Sequence, residues 1–259
     1  VKAITSRDNP LYKRLKALAG STHQQRKSGQ ALLEGFHLAS AYLDVAGEPE
    51  TCVVTDEAMR HAEAQAIVGR IDPSRVATLP AALFGQVSNV VNGVGLLFVV
   101  PKLAPTLPER IETTCVVLDG VQDAGNVGSI LRSAAAAGVK HVFCGPGTAY
   151  AWSSKVLRSG MGAHFLLDVH EDIEPRTLVE RLAVPVAITD SHADAALYDC
   201  DLSGPVAWVF GNEGAGVSLA WREAVTYRLT IPQPGGMESL NVAAAAAICL
   251  FEQCRQRRG

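Results

Sequence analysis

Beyond residue 113 the chain alternates short apolar runs with segments of helical composition. Thr114 to Leu118, His141 to Cys144, Phe165 to Val169, Val186 to Thr189, Val206 to Phe210 and Thr226 to Ile231 have strand length and little polar alternation, the pattern of strands covered on both faces. Val127 to Ala137, Ser153 to Met161 and Arg176 to Leu182 read as intervening helices, and an Ala-rich helix beginning near Leu240 follows the last strand. This order predicts an α/β fold on a parallel sheet with helices on both faces. Such sheets collect ligands at the carboxyl ends of their strands, and the Gly-rich turns here all follow strands.

The first part of the chain is less regular. An opening helix carries Leu11, Leu15 and Leu18 on one face, and Gly20 to Gln30 reads as a polar connection. Ala31 to Val45 reads as a helix, with Leu32, Leu33, Phe36, Leu38 and Leu43 among its apolar positions and Gly47 and Pro49 beyond its end. Strand-like runs follow at Cys52 to Val54 and Gly95 to Val100, with helical stretches near Glu57 to Val68 and Ala81 to Val87. Together these predict a small α/β unit. Pro101, Pro105 and Pro108 bar a central strand or regular helix. The boundary is therefore expected there: residues 1–100 as one domain, 101–112 as a linker and 113–259 as a second domain.

Composition narrows the class. At 259 residues the chain exceeds the usual single-domain size, which agrees with two cores. No N-terminal run has the order of a signal peptide, and no apolar stretch reaches the roughly 18 uninterrupted residues of a membrane span. A soluble, cytoplasmic protein is expected. Its six cysteines form no C-x-x-C pair and its seven histidines are scattered, which points to reduced structural thiols and no metal site. The net charge of −3 hides an asymmetry: Lys2, Arg7, Lys13, Arg14, Lys16, Arg26 and Lys27 face a single Asp8 in the first 30 residues. This block is either a phosphate-contacting surface, with Arg7, Lys13, Arg14 and Lys16 as candidates, or the solvated face of the opening helix.

Three turns carry candidate chemistry. The first, Leu118 to Arg132, has the strand, glycine and helix order of a phosphate-binding loop. It lacks Gly-Lys-Ser/Thr, which excludes a nucleoside-triphosphate loop, and the next strand ends without the acid that anchors a dinucleotide ribose. Arg132 stands on a helix of small residues, where its planar fork either holds a phosphate or pairs with an acid such as Asp123. The second turn, Val209 to Gly216, sets Glu213 between glycines, either to orient a basic partner such as Arg132 or to cap the next turn. The third is Ile231 to Leu240. Pro232 and Pro234 remove two backbone donors, Gly235 and Gly236 follow, and Ser239 or Asn241 is placed to cap the final helix.

In this order, Asp119 to Ala135, Phe210 to Gly216 and Ile231 to Ala244 resemble the three motifs of the SpoU/TrmH family of the SPOUT superfamily, S-adenosylmethionine-dependent RNA ribose 2′-O-methyltransferases. Ile4 to Pro10 and Leu33 to His37 are similar to the start of that family's substrate-binding domain, so the likeness spans nearly the whole chain. It implies a C-terminal Rossmann-like parallel-sheet domain with a trefoil knot, preceded by a small ribosomal-protein-like α/β domain that binds RNA. It also implies Arg132 as the catalytic arginine, Asn126, Glu213, Ser239 and Asn241 as the other motif residues, and adenosine held by Thr189, Gly211, Ile231 and Leu240. One departure from the family's pattern is Gln233, where relatives often have methionine.

The expected reaction is methylation of a ribose 2′-hydroxyl, most naturally of 23S ribosomal RNA. A transfer-RNA substrate, or a non-catalytic RNA-binding or ribosome-assembly role, is the alternative. Because guanidinium stays protonated, Arg132 is expected to bind the adjacent phosphate and the developing alkoxide, with Ser239 and Asn126 orienting it. The final helix is apolar on nearly every side from Val242 to Phe251, and a homodimer through this helix is expected.

Overall fold

The computed structural model describes residues 1–90 and 93–258. It divides into two compact units: Val1–Leu103 with Trp152–Phe165, and Ala104–Ala151 with the chain from Leu166 onward.

In the first unit the elements are β1 (Lys2–Ala3), α1 (Pro10–Gly20), α2 (Thr22–Ser28), β2 (Gln30–Glu34), α3 (Phe36–Val45), β3 (Thr51–Val54), α4 (Ala62–Val68), β4 (Val76–Thr78), α5 (Ala81–Phe84) and β5 (Leu96–Pro101). Their mixed sheet runs β1-β4-β3-β5-β2. Leu15 and Leu18 of α1 and Phe84 of α5 pack with Leu32, Val53, Leu97 and Val99 of the sheet. On α3, Tyr42 meets Phe98 of β5 edge-on.

Two expectations fail here. Ala31 to Glu34 is a strand rather than the start of a helix: Leu32 pairs with Val99 and Leu33 with Phe98 in antiparallel register. The apolar run is buried on both faces, and Gly35 at φ 108° breaks the chain before α3. Gly20 to Gln30 is no simple connection either, because it contains α2, capped by the Ser21 side chain.

The helix α7 (Ser154–Gly160) lies far along the sequence yet belongs to this first unit. Asn89 donates Nδ2–H to Ser154 Oγ at 3.1 Å, Arg158 donates to the Asn89 carbonyl at 2.9 Å, and Phe165 lies edge-on to Tyr42.

The second unit contains β6 (Cys115–Asp119), α6 (Ala124–Ala136), β7 (His141–Cys144), β8 (Asp168–His170), α8 (Pro175–Val179), β9 (Val186–Thr189), β10 (Ala195–Ala196), β11 (Ala207–Gly211), α9 (Leu219–Ala224), β12 (Tyr227–Thr230) and α10 (Val242–Arg257). Here β8 begins later than the apolar run, because Ala163–Phe165 forms a short 3₁₀ turn. Every pairing in its seven-stranded sheet, β10-β12-β9-β11-β6-β7-β8, is parallel. Leu178 of α8 and Trp221 of α9 cover one face with Val117, Ile188 and Val209. Trp208 turns to the other face and donates Nε1–H to Gln253 of α10 at 2.9 Å. From β6 the chain steps outward to β7 and β8, then resumes beyond β11 at β9. The strand order therefore reverses beside β6 and β11, where such sheets open a crevice.

The last helix is not buried all round. It buries Ala245, Ala246, Cys249 and Leu250 and leaves Phe251 half exposed. Its Glu252 is only 8 % exposed and accepts hydrogen bonds from Arg255 and Gln256, all at 2.8 Å. These donors, Arg255 first, bring its carboxyl from the ordinary 4.5 to about 2. A carboxyl depressed in this way stabilises the fold above its ordinary titration range, and that contribution fades as pH falls from 4.5 toward 2. Glu252→Gln is expected to flatten the acid limb of the melting-temperature profile. An acid limb identical to that of the parent protein would refute this account.

No helix among the described residues is long and apolar enough to cross a membrane.

Candidate functional site

The site grows from the carboxyl ends of β6, β11 and β12. After β6, Asp123 caps α6 by accepting the Asn126 N–H at 2.9 Å. Asp123 is thus the cap and not an ion-pair partner of Arg132. After β11 the chain folds tightly on itself, with Asn212 and Gly216 exchanging backbone hydrogen bonds at 3.0 and 2.9 Å. A Cβ on Gly211 would come within 2.3 Å of the Gly216 carbonyl carbon and 2.4 Å of the Val217 nitrogen, so only glycine fits. Asn212 reaches across to donate to the Gly120 carbonyl at 2.9 Å, and Asp119 accepts the Ser218 N–H at 2.6 Å. The first two turns are thereby locked together.

Glu213 joins these turns to the third. Its carboxylate accepts the backbone N–H groups of Gln122 at 3.1 Å and Asp123 at 3.2 Å, and the Asn126 amide at 2.9 Å. Asn126 in turn accepts the Asn241 amide at 2.9 Å, and the Asn241 oxygen caps α10 by accepting from Ala243 and Ala244. Because an ionised carboxylate only accepts and backbone N–H groups only donate, the two amides can point only one way. Burial works to raise the Glu213 carboxyl, but the Asn126 amide and the surrounding N–H groups outweigh it and hold it below its ordinary range. Glu213 therefore holds backbone amides together instead of orienting Arg132 or capping the next turn. Asn126 likewise uses its amide on Glu213 and Asn241, not on Arg132. Of the two cap candidates, Asn241 is the one that caps.

These loops border a cavity of about 1030 Å³. Thr189, Gly211, Ile231 and Leu240 all line it, as do Glu213, Ser239 and Asn241. Asn126 stands behind the wall, where it links Glu213 to Asn241. Arg132 is exposed on α6, outside the lining, and makes no hydrogen bond or ion pair among the described residues. Polar groups that the sequence did not single out also line the cavity. Arg222 donates to the Val217 carbonyl at 3.0 Å. Asp190 accepts the His192 N–H at 2.8 Å and pairs with Arg228 at 2.7 Å, and these hold its carboxyl below the usual range, the backbone N–H foremost. Its place directly after the strand end at Thr189 was the available signal.

The basic candidates lie in the first unit. Arg7 and Lys16 are exposed, Lys13 pairs with Asp8 at 3.1 Å, and Arg14 binds Glu50 and Gln30. Arg14 is thus partly neutralised within its own unit.

The profile of the SpoU rRNA Methylase family matches residues 113–251. The chain is 32 % identical to the 23S rRNA (guanosine(2553)-2′-O)-methyltransferase RlmP of Bacillus subtilis, over 97 % of this chain and 98 % of that protein. It is 29 % identical to the 23S rRNA (uridine(2479)-2′-O)-methyltransferase of Streptomyces viridochromogenes, over 99 % of this chain and 93 % of that protein. Its fold matches the crystal structure of the SpoU methyltransferase AviRb from Streptomyces viridochromogenes in complex with AdoMet, with a TM-score of 0.85 and 26 % identity over 96 % of this chain and 98 % of that one. The matched profile contains all three strand-end loops and every residue of the cavity wall, and the chain belongs to the SpoU rRNA methylase family.

Proposed function

We propose that this protein transfers a methyl group from S-adenosylmethionine to a ribose 2′-hydroxyl of 23S ribosomal RNA. The observation that carries the reading is the cavity at the sheet's strand ends, its wall braced by Glu213, Asn126 and Asn241. The relatives' 23S rRNA activities support the substrate, and the exposed Arg7 and Lys16 offer phosphate contacts. The knot belongs to the same reading, supported by the likeness in fold to AviRb.

The residues present fit the cofactor. A cavity of about 1030 Å³ is ample for a ligand of that size, and its wall sets apolar Ile231 and Leu240 beside polar Thr189 and the Gly211 backbone. Thr189, Gly211, Ile231 and Leu240 would hold its adenosine. When bound, S-adenosylmethionine supplies a methyl group that is already strongly electrophilic. The protein's part is to position the hydroxyl and the RNA phosphate that takes its proton. Arg132, charged and without a protein partner among the described residues, binds the phosphate beside the target ribose and faces the oxygen as negative charge develops there. Ser239 on the cavity wall orients the hydroxyl, and the proton passes to an RNA phosphate oxygen. Alignment of the reacting groups supplies much of the rate enhancement.

Pairing of two chains through α10 completes the proposal. Ala244, Ile248 and Phe251, spaced four and three residues apart, share one helix face, and Phe251 is 50 % exposed. Phe251→Glu is expected to yield a monomer by light scattering at micromolar concentration where the parent protein is a dimer. A monomeric parent would refute the pairing.

The activity is tested by mapping methylated riboses after incubating 23S rRNA or transfer RNA with the protein and cofactor. A new methylated ribose in 23S rRNA is expected. Transfer to transfer RNA alone would overturn the substrate, and transfer to neither would overturn the activity.

A further inference from the structure

The Gln233 side chain presents an anomaly in the cavity wall. Its Oε1 is closed off from solvent and accepts no hydrogen bond among the described residues. An acceptor in that state has given up its bonds to water and received nothing in exchange. The backbone around it is constrained: Pro232 and Pro234 fix their own φ angles, and the Gln233 carbonyl accepts the Gly236 N–H at 3.3 Å. The side chain, by contrast, turns about three torsions of its own. Rotation toward the cavity it already lines is the route by which Oε1 gains a donor.

The position of Gln233 indicates which part of a ligand that donor belongs to. Gln233 and Ile231 line both the large cavity and a second chamber of about 530 Å³. Glu213, Ser239 and Asn241 line only the large one. Gln233 therefore stands beside Ile231, one of the residues that would hold the adenosine. We infer that Gln233 is a cofactor-recognition residue whose carboxamide oxygen accepts a hydrogen bond from an N–H or O–H of the methyl donor's adenosine half. This rests on the methyltransferase reading above.

The inference is tested by calorimetric titration of the parent protein and Gln233→Met with S-adenosylhomocysteine and with 5′-methylthioadenosine, which lacks the amino-acid tail. Melting of the ligand-free proteins is measured alongside. Methionine keeps the length and removes the acceptor. Both ligands are expected to bind the variant about 3- to 10-fold more weakly, while the ligand-free variant melts at the same or a higher temperature because no orphaned acceptor remains. Equal affinities would overturn the inference, and so would a loss confined to S-adenosylhomocysteine, which would assign the bond to the amino-acid end. A ligand-free variant that melts lower would mark Gln233 as structural and also overturn it. Failure of the parent protein to bind either ligand would bring down the cofactor assignment itself, an outcome distinct from all of these.

Discussion

Replacing Arg132 with lysine is expected to lower methyl transfer to 23S rRNA by about 100-fold, while affinity for S-adenosylhomocysteine stays within about twofold. Arg132 is exposed on α6 and has no hydrogen-bond or ion-pair partner among the described residues, so lysine breaks no contact of the folded chain. What changes is the planar fork: an ammonium supplies the same charge at a point but cannot grip a phosphate and a developing alkoxide from one rigid plane. Single-turnover kinetics with RNA-binding measurements separate the possibilities. A variant that binds RNA and keeps most of its transfer rate would defeat any role that needs the fork. A variant that loses cofactor affinity would show that the side chain acts on the donor and not on the acceptor.

Gly211→Ala is expected to weaken S-adenosylhomocysteine binding by about tenfold or more and to lower the melting temperature. The added Cβ would lie within 2.3 Å of the Gly216 carbonyl carbon, and both contacting atoms are backbone held by the Asn212 and Gly216 bridge. No rotamer change relieves such a contact, so the loop itself must shift. The shift would pass to Glu213, two residues on, and from it to the amides of Gln122, Asp123 and Asn126. Calorimetry and thermal melting together check this. A normally binding, normally melting variant would mean that the loop has a second conformation of nearly equal energy.

The sheet of the second unit was readable in advance because strands buried on both faces must be apolar throughout, and that demand is local to each run. The three strand-end turns were readable for a similar reason: proline and glycine report backbone conformation wherever they stand. Short apolar runs are less informative. Ala31 to Glu34 suits a helix or a strand equally by pattern, and only pairing with β5, more than 60 residues away, selects the strand.

The partners of the polar site residues left no trace in sequence at all. Asn126 lies 87 residues from Glu213 and 115 from Asn241, and nothing in their spacing says that one amide connects the other two. Nor did the sequence show that Arg132 stands apart from the cavity wall, or that α7 joins the first unit. By itself the sequence determined the main strands of the second unit, the turns that follow them and the kinds of chemical group available, because these depend on each residue's own backbone and hydrophobicity. Tertiary structure alone decided which group holds which, because a hydrogen bond depends on distance in space and not on distance along the chain.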